Sequence, residues 1–437
     1  MFIKMFFRLL KQKLVKDFFT YTFFSALQKA IPFLLLPFFS RYFSEIQLGY
    51  FIVFQTIVLL AMPIMTLCVD TAIGINYYHY NFQKFSKYLT NNLIFAGVWF
   101  FVVFLIIFLF NGWFSIVLNF PALWLLLGLA TVFPQFVFQL RQLLFRYQNK
   151  PLSYGLFSLG SALLNNGLGF IFLYFTPFTW EAFVLGYLIG YVFIAVISVI
   201  LMNKDKFLLF SFHIKMIGNA IKIGAPVMIH TIGSWLSTSL NRILINTLIG
   251  TAATASFGIG ASFGMIMTLV QDSMNLAYTP FLFEKLKNYN VSTQQILVKT
   301  TLLIYLLIVV SAFAISIIGY FGISFIFGEL YLSTQQFIFP LVIAAAVNGC
   351  YKVHVNYLFY SKKTWTIAQI TLLCGFINIA LLYSMIKVWG IMGAVYASLL
   401  IQIFSYLLIT YKAHKLYPLN FLFHTKSISK HLFSKGK

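Results

Sequence analysis

Charge is scarce in this chain of 437 residues: 9% are charged, and only eight are acidic. A soluble domain carries about a quarter charged residues, so a water-facing surface is excluded over most of the length. The three cysteines, Cys68, Cys350 and Cys374, all fall inside apolar runs. That placement excludes a disulfide framework or a thiolate metal site and marks them as small packing residues. There is no G-x-x-x-x-G-K-[ST], H-E-x-x-H or C-x-x-C, so ATP hydrolysis by a phosphate loop and zinc-peptidase chemistry are not supported. An enzyme embedded in a membrane gathers acids or histidines at one membrane face to hold a metal or activate a hydroxyl. Here the acids are scattered singly, so the expectation is no enzyme, no cofactor and no metal.

Hydrophobic residues, by contrast, make up 61% of the chain. Apolar runs of about twenty residues recur from Phe18 to Tyr411, the length needed to cross a bilayer. Lipid offers no partner to backbone N–H and C=O, which leaves helices or closed barrels. Barrel strands alternate polar and apolar over about ten residues; these runs are continuously apolar, so they are helices. The expected fold is an all-α polytopic membrane protein with about twelve transmembrane helices. The spans lie near 18–40, 46–69, 91–111, 122–140, 153–175, 182–202, 222–248, 254–281, 298–320, 335–357, 364–386 and 389–411.

The net charge of +22 would fit nucleic acid if it were spread over one surface. It is not. With the N-terminus inside, twenty-five of the thirty lysines and arginines fall on inner segments, and the outer ends hold Arg41 and Lys387. Such an asymmetry fixes orientation in a bacterial inner membrane with both termini cytoplasmic. It makes the positive charge a feature that faces lipid headgroups, and removes nucleic acid as a partner. In the leader, residues 1–17, Phe2, Met5, Phe6, Leu9 and Leu10 recur at helical spacing with Lys4, Arg8 and Lys11 between them. That pattern predicts a helix lying on the cytoplasmic face, followed by an uncleaved first span. The longest inner connection, 204–221, divides the chain into an N-terminal six-helix bundle, 18–203, and a C-terminal one, 222–411. A basic tail, 412–437, follows. Asp70 and Asp272 stand 202 residues apart, as an internal duplication would place them.

Six ionisable residues remain at membrane depth: Lys29, Asp70, His230, Arg242, Asp272 and Lys352. A charge at the centre of a span costs about 2.5–3.5 kcal/mol on insertion scales, so each is a functional candidate. Lys29 lies too deep to snorkel easily. Arg242 follows Ser237, Thr238, Ser239 and Asn241, and its planar fork suits phosphate oxygens. Lys352 lies nearer the inner end of its span. The interior leans positive and should attract an anion. Asp70 and Asp272 either partner these cations or serve as ion-coupling sites. Tyr21, Tyr77, Trp235 and Tyr278 are of a type that stacks on sugar rings. In a chain that is 19% aromatic, each is more simply read as packing or interface belt.

Two passages carry a family resemblance. One runs from Pro32 and Pro37 through Arg41-Tyr42-Phe43-Ser44-Glu45 to Gly49-Tyr50. The other opens the second half with Gly224-Ala225-Pro226 and continues to Ser239-Leu240-Asn241-Arg242. With twelve spans, the chain resembles Wzx-type O-antigen flippases, the polysaccharide-transporter branch of the multidrug/oligosaccharidyl-lipid/polysaccharide (MOP) exporter superfamily. The resemblance implies two pseudo-symmetric six-helix bundles around a central cavity. It implies an undecaprenyl-diphosphate-linked oligosaccharide as substrate, with the diphosphate held by cavity cations. Lys29 and Arg242 match that role most naturally, with Lys352 and His230 beside them. It also brings membrane lipids, a polysaccharide polymerase and a chain-length regulator as expected partners. The other reading is a cation-coupled exporter of small organic molecules, the multidrug branch, which carries more acids than this chain has.

Overall fold

The structure, a computed structural model, describes residues 13–287 and 289–419. The side chains of residues 13–19, 22, 25, 26 and 29 also lie outside the described set. The expected surface helix of the leader up to residue 12, the tail from 420, and the Lys29 side chain are therefore outside it.

The described chain is helical. Helices α1 (Lys13–Tyr42), α2 (Glu45–Thr66), α3 (Val69–Tyr77), α4 (Phe82–Leu109) and α5 (Asn111–Leu118) come first. Then follow α6 (Ala122–Ala130), α7 (Val132–Tyr147), α8 (Pro151–Phe175) and α9 (Trp180–Lys204). After a connector come α10 (Ile214–Thr238), α11 (Leu240–Leu248), α12 (Thr251–Lys287), α13 (Val291–Phe327), α14 (Gln335–Tyr360) and α15 (Thr364–Leu416). Among the described residues, nine helices are long and apolar enough to cross a membrane, with α6 and α7 counted as one. The protein is a polytopic membrane protein.

The longest helix, α15, has 53 residues. A straight helix of that length would run about 80 Å, far more than the roughly 30 Å of a bilayer core. It turns back at Gly390, whose φ of 55° suits glycine. A Cβ on Gly393 would lie 2.0 Å from the Met385 carbonyl oxygen, so the two arms of the turn touch. Two spans meet there, as the sequence places them at 364–386 and 389–411.

Turns between spans use ordinary cap chemistry. Ser44 and Gln47 form a reciprocal capping box at the start of α2, and Asn81 caps α4. Lipid-facing surface is plentiful: Phe101, Leu105, Leu303, Val310, Phe321 and Phe376 are all exposed. Lipid, not water, is the solvent for such a surface.

The chain packs into two compact units. Unit 1 takes residues up to Trp235 together with Arg242–Ala255; unit 2 takes Leu236–Asn241 and residues from Ser256 on. The sequence puts the division at 204–221, whereas the packing puts it after Trp235. The reason is local. A Cβ on Gly224 would fall 2.2 Å from the Leu67 carbonyl oxygen, so α10 passes directly over α2. Trp235 donates its indole N–H to the Thr56 carbonyl at 3.3 Å. Asn219 accepts from the Tyr88 hydroxyl at 2.9 Å. These contacts keep most of the seventh span with the first six.

Candidate functional site

In unit 1 the second span is broken. Leu67 and Cys68 both adopt left-handed backbone, with φ of 51° and 49°. Two successive non-glycine residues there are strained, and such strain persists only where the surroundings enforce it. Pro63 weakens the helix just before the break. The Ile64 carbonyl near the break accepts from the Trp99 indole at 3.0 Å. Helix α3 restarts at Val69 with Asp70 in its first turn, where the helix dipole favours an anion. Arg146 is the cation whose field reaches Asp70. Across the break stand Thr231, a hydrogen-bonding neighbour of Cys68, and His230, whose Nδ1 is buried without a partner among the described residues. Broken helices of this kind, with freed carbonyls and exposed half-helix ends, are where transporters place substrate and ion sites. Arg242 is half-buried on α11, just past the helix interruption at Ser239.

In unit 2 a polar ladder joins α12 and α14. Lys352 Nζ donates to Asp272 Oδ1 at 2.7 Å. Gln271 Nε2 donates to the Ala345 carbonyl at 2.7 Å, and Asn356 Nδ2 to Asn275 Oδ1 at 2.7 Å. Further toward the C-terminal ends of both helices the Tyr278 and Tyr357 hydroxyls meet at 3.4 Å. Gly349 makes room for Gln271, since a Cβ there would fall 2.5 Å from its side chain. Gln271, Asn275, Tyr278 and Lys352 line a recess of about 10 Å³. That is the volume of roughly one water, so the recess suits a water or small ion and not a sugar. Beside it, the Tyr305 hydroxyl bonds His354 Nε2 at 2.6 Å and the Tyr406 hydroxyl at 3.0 Å.

Among the six residues singled out from sequence, then, the structure joins Asp272 to Lys352. It sets Asp70 and His230 near the same helix break, and places Arg242 on a separate short helix of unit 1. Lys352, read as lying near an inner helix end, is committed to an ion pair. The aromatics are packing groups: Tyr77 stacks on Tyr147 at 4.9 Å, Trp235 and Tyr278 are buried, and Tyr21 packs on Tyr154. Sequence reasoning missed the spacing Asn348, Lys352, Asn356, which puts three polar groups on one face of α14.

Arg141 is one of the twenty-five cations that the sequence places on inner segments, with no further role. The Arg141 side chain is only 3% exposed, donates to Asp205 Oδ2 at 2.7 Å and lies 4.0 Å over the Phe145 ring. The i, i+4 spacing of Arg141 and Phe145 was the available signal. Burial by itself raises the pKa of the Asp205 carboxyl, but the Arg141 hydrogen bond and charge, with Gln148 and Lys150 behind, hold it below its ordinary value. A depressed carboxyl stabilises the fold above its unfolded pKa of about 3.9, and that contribution fades as pH falls through the lower folded value. Asp205→Asn should therefore cost about 1–2 kcal/mol at neutral pH. Thermal unfolding in detergent should show the difference from wild type shrinking at acid pH. A pH-independent difference would reject the ion-pair assignment.

The described residues make a helical polytopic membrane protein with a broken span in one unit and an ion pair held between two helices of the other. The family model described as "Polysaccharide biosynthesis protein" matches residues 14–286. The match covers more than half of the chain, which belongs to that family. Lsg locus putative protein 1 of Haemophilus influenzae is 24% identical over 379 residues, covering 85% of this chain and 91% of that one. Among solved structures, the lipid II flippase MurJ in an inward closed conformation superposes with a TM-score of 0.71 at 15% identity. That likeness covers 91% of this chain and 86% of MurJ. A multidrug resistance MATE family transporter of the MOP superfamily, in an outward-facing conformation, gives a TM-score of 0.65 at 12% identity over 93% of this chain and 97% of that one. At such identities the structures establish the shared fold.

Proposed function

We propose that this protein moves an undecaprenyl-diphosphate-linked oligosaccharide, a repeat unit of O-antigen or another surface polysaccharide, from the cytoplasmic to the outer leaflet of a bacterial inner membrane. The family match carries the reading: a transporter fold within a polysaccharide biosynthesis family needs a membrane-crossing step in sugar assembly. In this reading the chain makes twelve crossings with both termini cytoplasmic and works by alternating access. Lys29 and Arg242 hold the diphosphate, assisted by His230 and Lys352. Asp70 and Asp272 balance these cations or couple an ion. A polymerase and a chain-length regulator act next on the flipped unit.

A diphosphate head carries about two negative charges, and the cytoplasm is negative inside. Outward movement is then favoured by about 4–5 kcal/mol per 100 mV. Collapsing the membrane potential in vesicles that carry the protein and its lipid-linked substrate should slow flipping sharply. An unchanged rate would reject electrophoretic drive.

The MATE likeness and the Asp272–Lys352 pair favour a second reading, a cation-coupled exporter of small organic molecules. Transport of organic cations by the purified protein, with no effect on surface polysaccharide when the gene is lost, would select it.

A further inference from the structure

The connector between α9 and α10, residues 205–213, is not a loose linker. It is strapped along α4 of the same unit by four hydrogen bonds. Ser86 Oγ donates to the Lys206 carbonyl at 3.1 Å, and the Leu209 amide donates to Thr90 Oγ1 at 2.9 Å. The Asn91 side chain does both jobs: its Nδ2 donates to the Ser211 carbonyl, and its Oδ1 accepts from the His213 amide at 2.8 Å. The Arg141–Asp205 ion pair fastens the start of the strap, and Phe207 is buried against Phe82 and Phe85.

Side chains alternate along an extended strap. Leu209 and Ser211 are half-buried, whereas the alternating Phe210 and Phe212 are 84% and 81% exposed. Ile214 continues the apolar edge at 65%. Lys204, Lys206 and Lys215 flank it and are exposed. Among the described residues of the unit, no ring contact to Phe210 or Phe212 accounts for their being held outward.

Their depth identifies what covers them. Helix α4 has 28 residues and is therefore about 42 Å long, some 12 Å more than a bilayer core of about 30 Å. Its first turns carry Lys84 and Lys87 while its far end is continuously apolar, so the overhang lies at the start. About 12 Å is eight residues, which brings the hydrocarbon boundary to Thr90 and Asn91, where the strap is tied. Phe210 and Phe212 stand at the level where acyl chains begin, and the lysines stand among the headgroups. Aromatic side chains beside lysines are the usual composition of a membrane-surface anchor, and each nearby lysine favours anionic lipid.

We infer that the strap 205–213 is an interfacial anchor, with Phe210 and Phe212 inserted in the inner leaflet and Lys204, Lys206 and Lys215 binding the phosphates of anionic lipid. The inference takes its side of the membrane from the topology in the reading above, but it needs no transport. It therefore stands or falls separately from the substrate assignment.

The test uses full-length protein with Phe212→Cys labelled by an environment-sensitive fluorophore. Wild type, in which Cys68 and Cys374 are buried and Cys350 is half-buried, serves as the labelling control. In vesicles of phosphatidylcholine with phosphatidylglycerol, lipids bearing a quencher high on the acyl chain should quench the label several-fold more than aqueous iodide does. The reverse order would overturn the inference. A second measurement leaves the strap's aromatics intact. Phosphatidylglycerol should raise the unfolding temperature of wild type relative to phosphatidylcholine alone, and the triple variant Lys204→Ser, Lys206→Ser, Lys215→Ser should lose that shift. An equal shift in the triple variant would show that these lysines do not take the lipid.

Discussion

Lys29→Ala and Arg242→Ala, combined in one chain, are expected to abolish surface polysaccharide in a host that depends on this gene. A charge-assisted hydrogen bond to phosphate contributes about 1.5–3 kcal/mol. Each single variant should therefore slow flipping by roughly 10- to 100-fold, at about 1.4 kcal/mol per decade. Arg242→Lys should recover part of the loss, because a point charge remains but the planar fork does not. Surface polysaccharide measured beside membrane insertion decides the matter. Full complementation by a normally inserted double variant would remove both residues from the site. Lys352→Ala should do less than either, because Lys352 already gives a hydrogen bond to Asp272.

Gly224→Ala should be strongly damaging for so conservative a change. Its Cβ would stand 2.2 Å from the Leu67 carbonyl oxygen and 3.1 Å from that of Cys68, and both are backbone atoms. Overlap with backbone cannot be relieved by a rotamer change, so α10 must shift away from the broken span. Overpacking of this kind costs about 1–3 kcal/mol. The shift also moves His230 and Thr231 relative to the break, so transport should fall beyond what stability explains. Gly160→Ala is the control. No atom lies within 4 Å of its Cβ, and its helix should gain up to about 1 kcal/mol from the better helix former. Unfolding temperature measured on both variants separates the two outcomes. Equal behaviour would mean that the contact at Gly224 is not tight.

The fold class was legible because it rests on bulk solvent preference. Continuous apolar runs exclude water, and lipid then forces the backbone into helices. The spans at 364–386 and 389–411 were separable because the charged Lys387 stands between them; the turn itself falls at Gly390. The break at Leu67–Cys68 was not legible. Neither residue is a turn former, yet both adopt left-handed backbone. The Lys352–Asp272 pair was half legible: both residues announced themselves by lying at membrane depth, but their pairing depends on the facing of α12 and α14. Arg141 was counted only as one of the cations of an inner segment. Its burial comes from the returning chain at Asp205, sixty-four positions away.

The sequence by itself determined the medium, the helices and the sign of the charge on each segment, since these follow from transfer free energies and the cost of charge in lipid. It also determined the family resemblance through its proline, glycine and arginine steps. Only the tertiary structure decided which charges are already paired and which glycine lets α10 cross the break. It alone showed that residues 205–213 of the connection are pinned along α4 within unit 1. These outcomes depend on contacts between residues far apart in the chain, whose distances no local periodicity encodes.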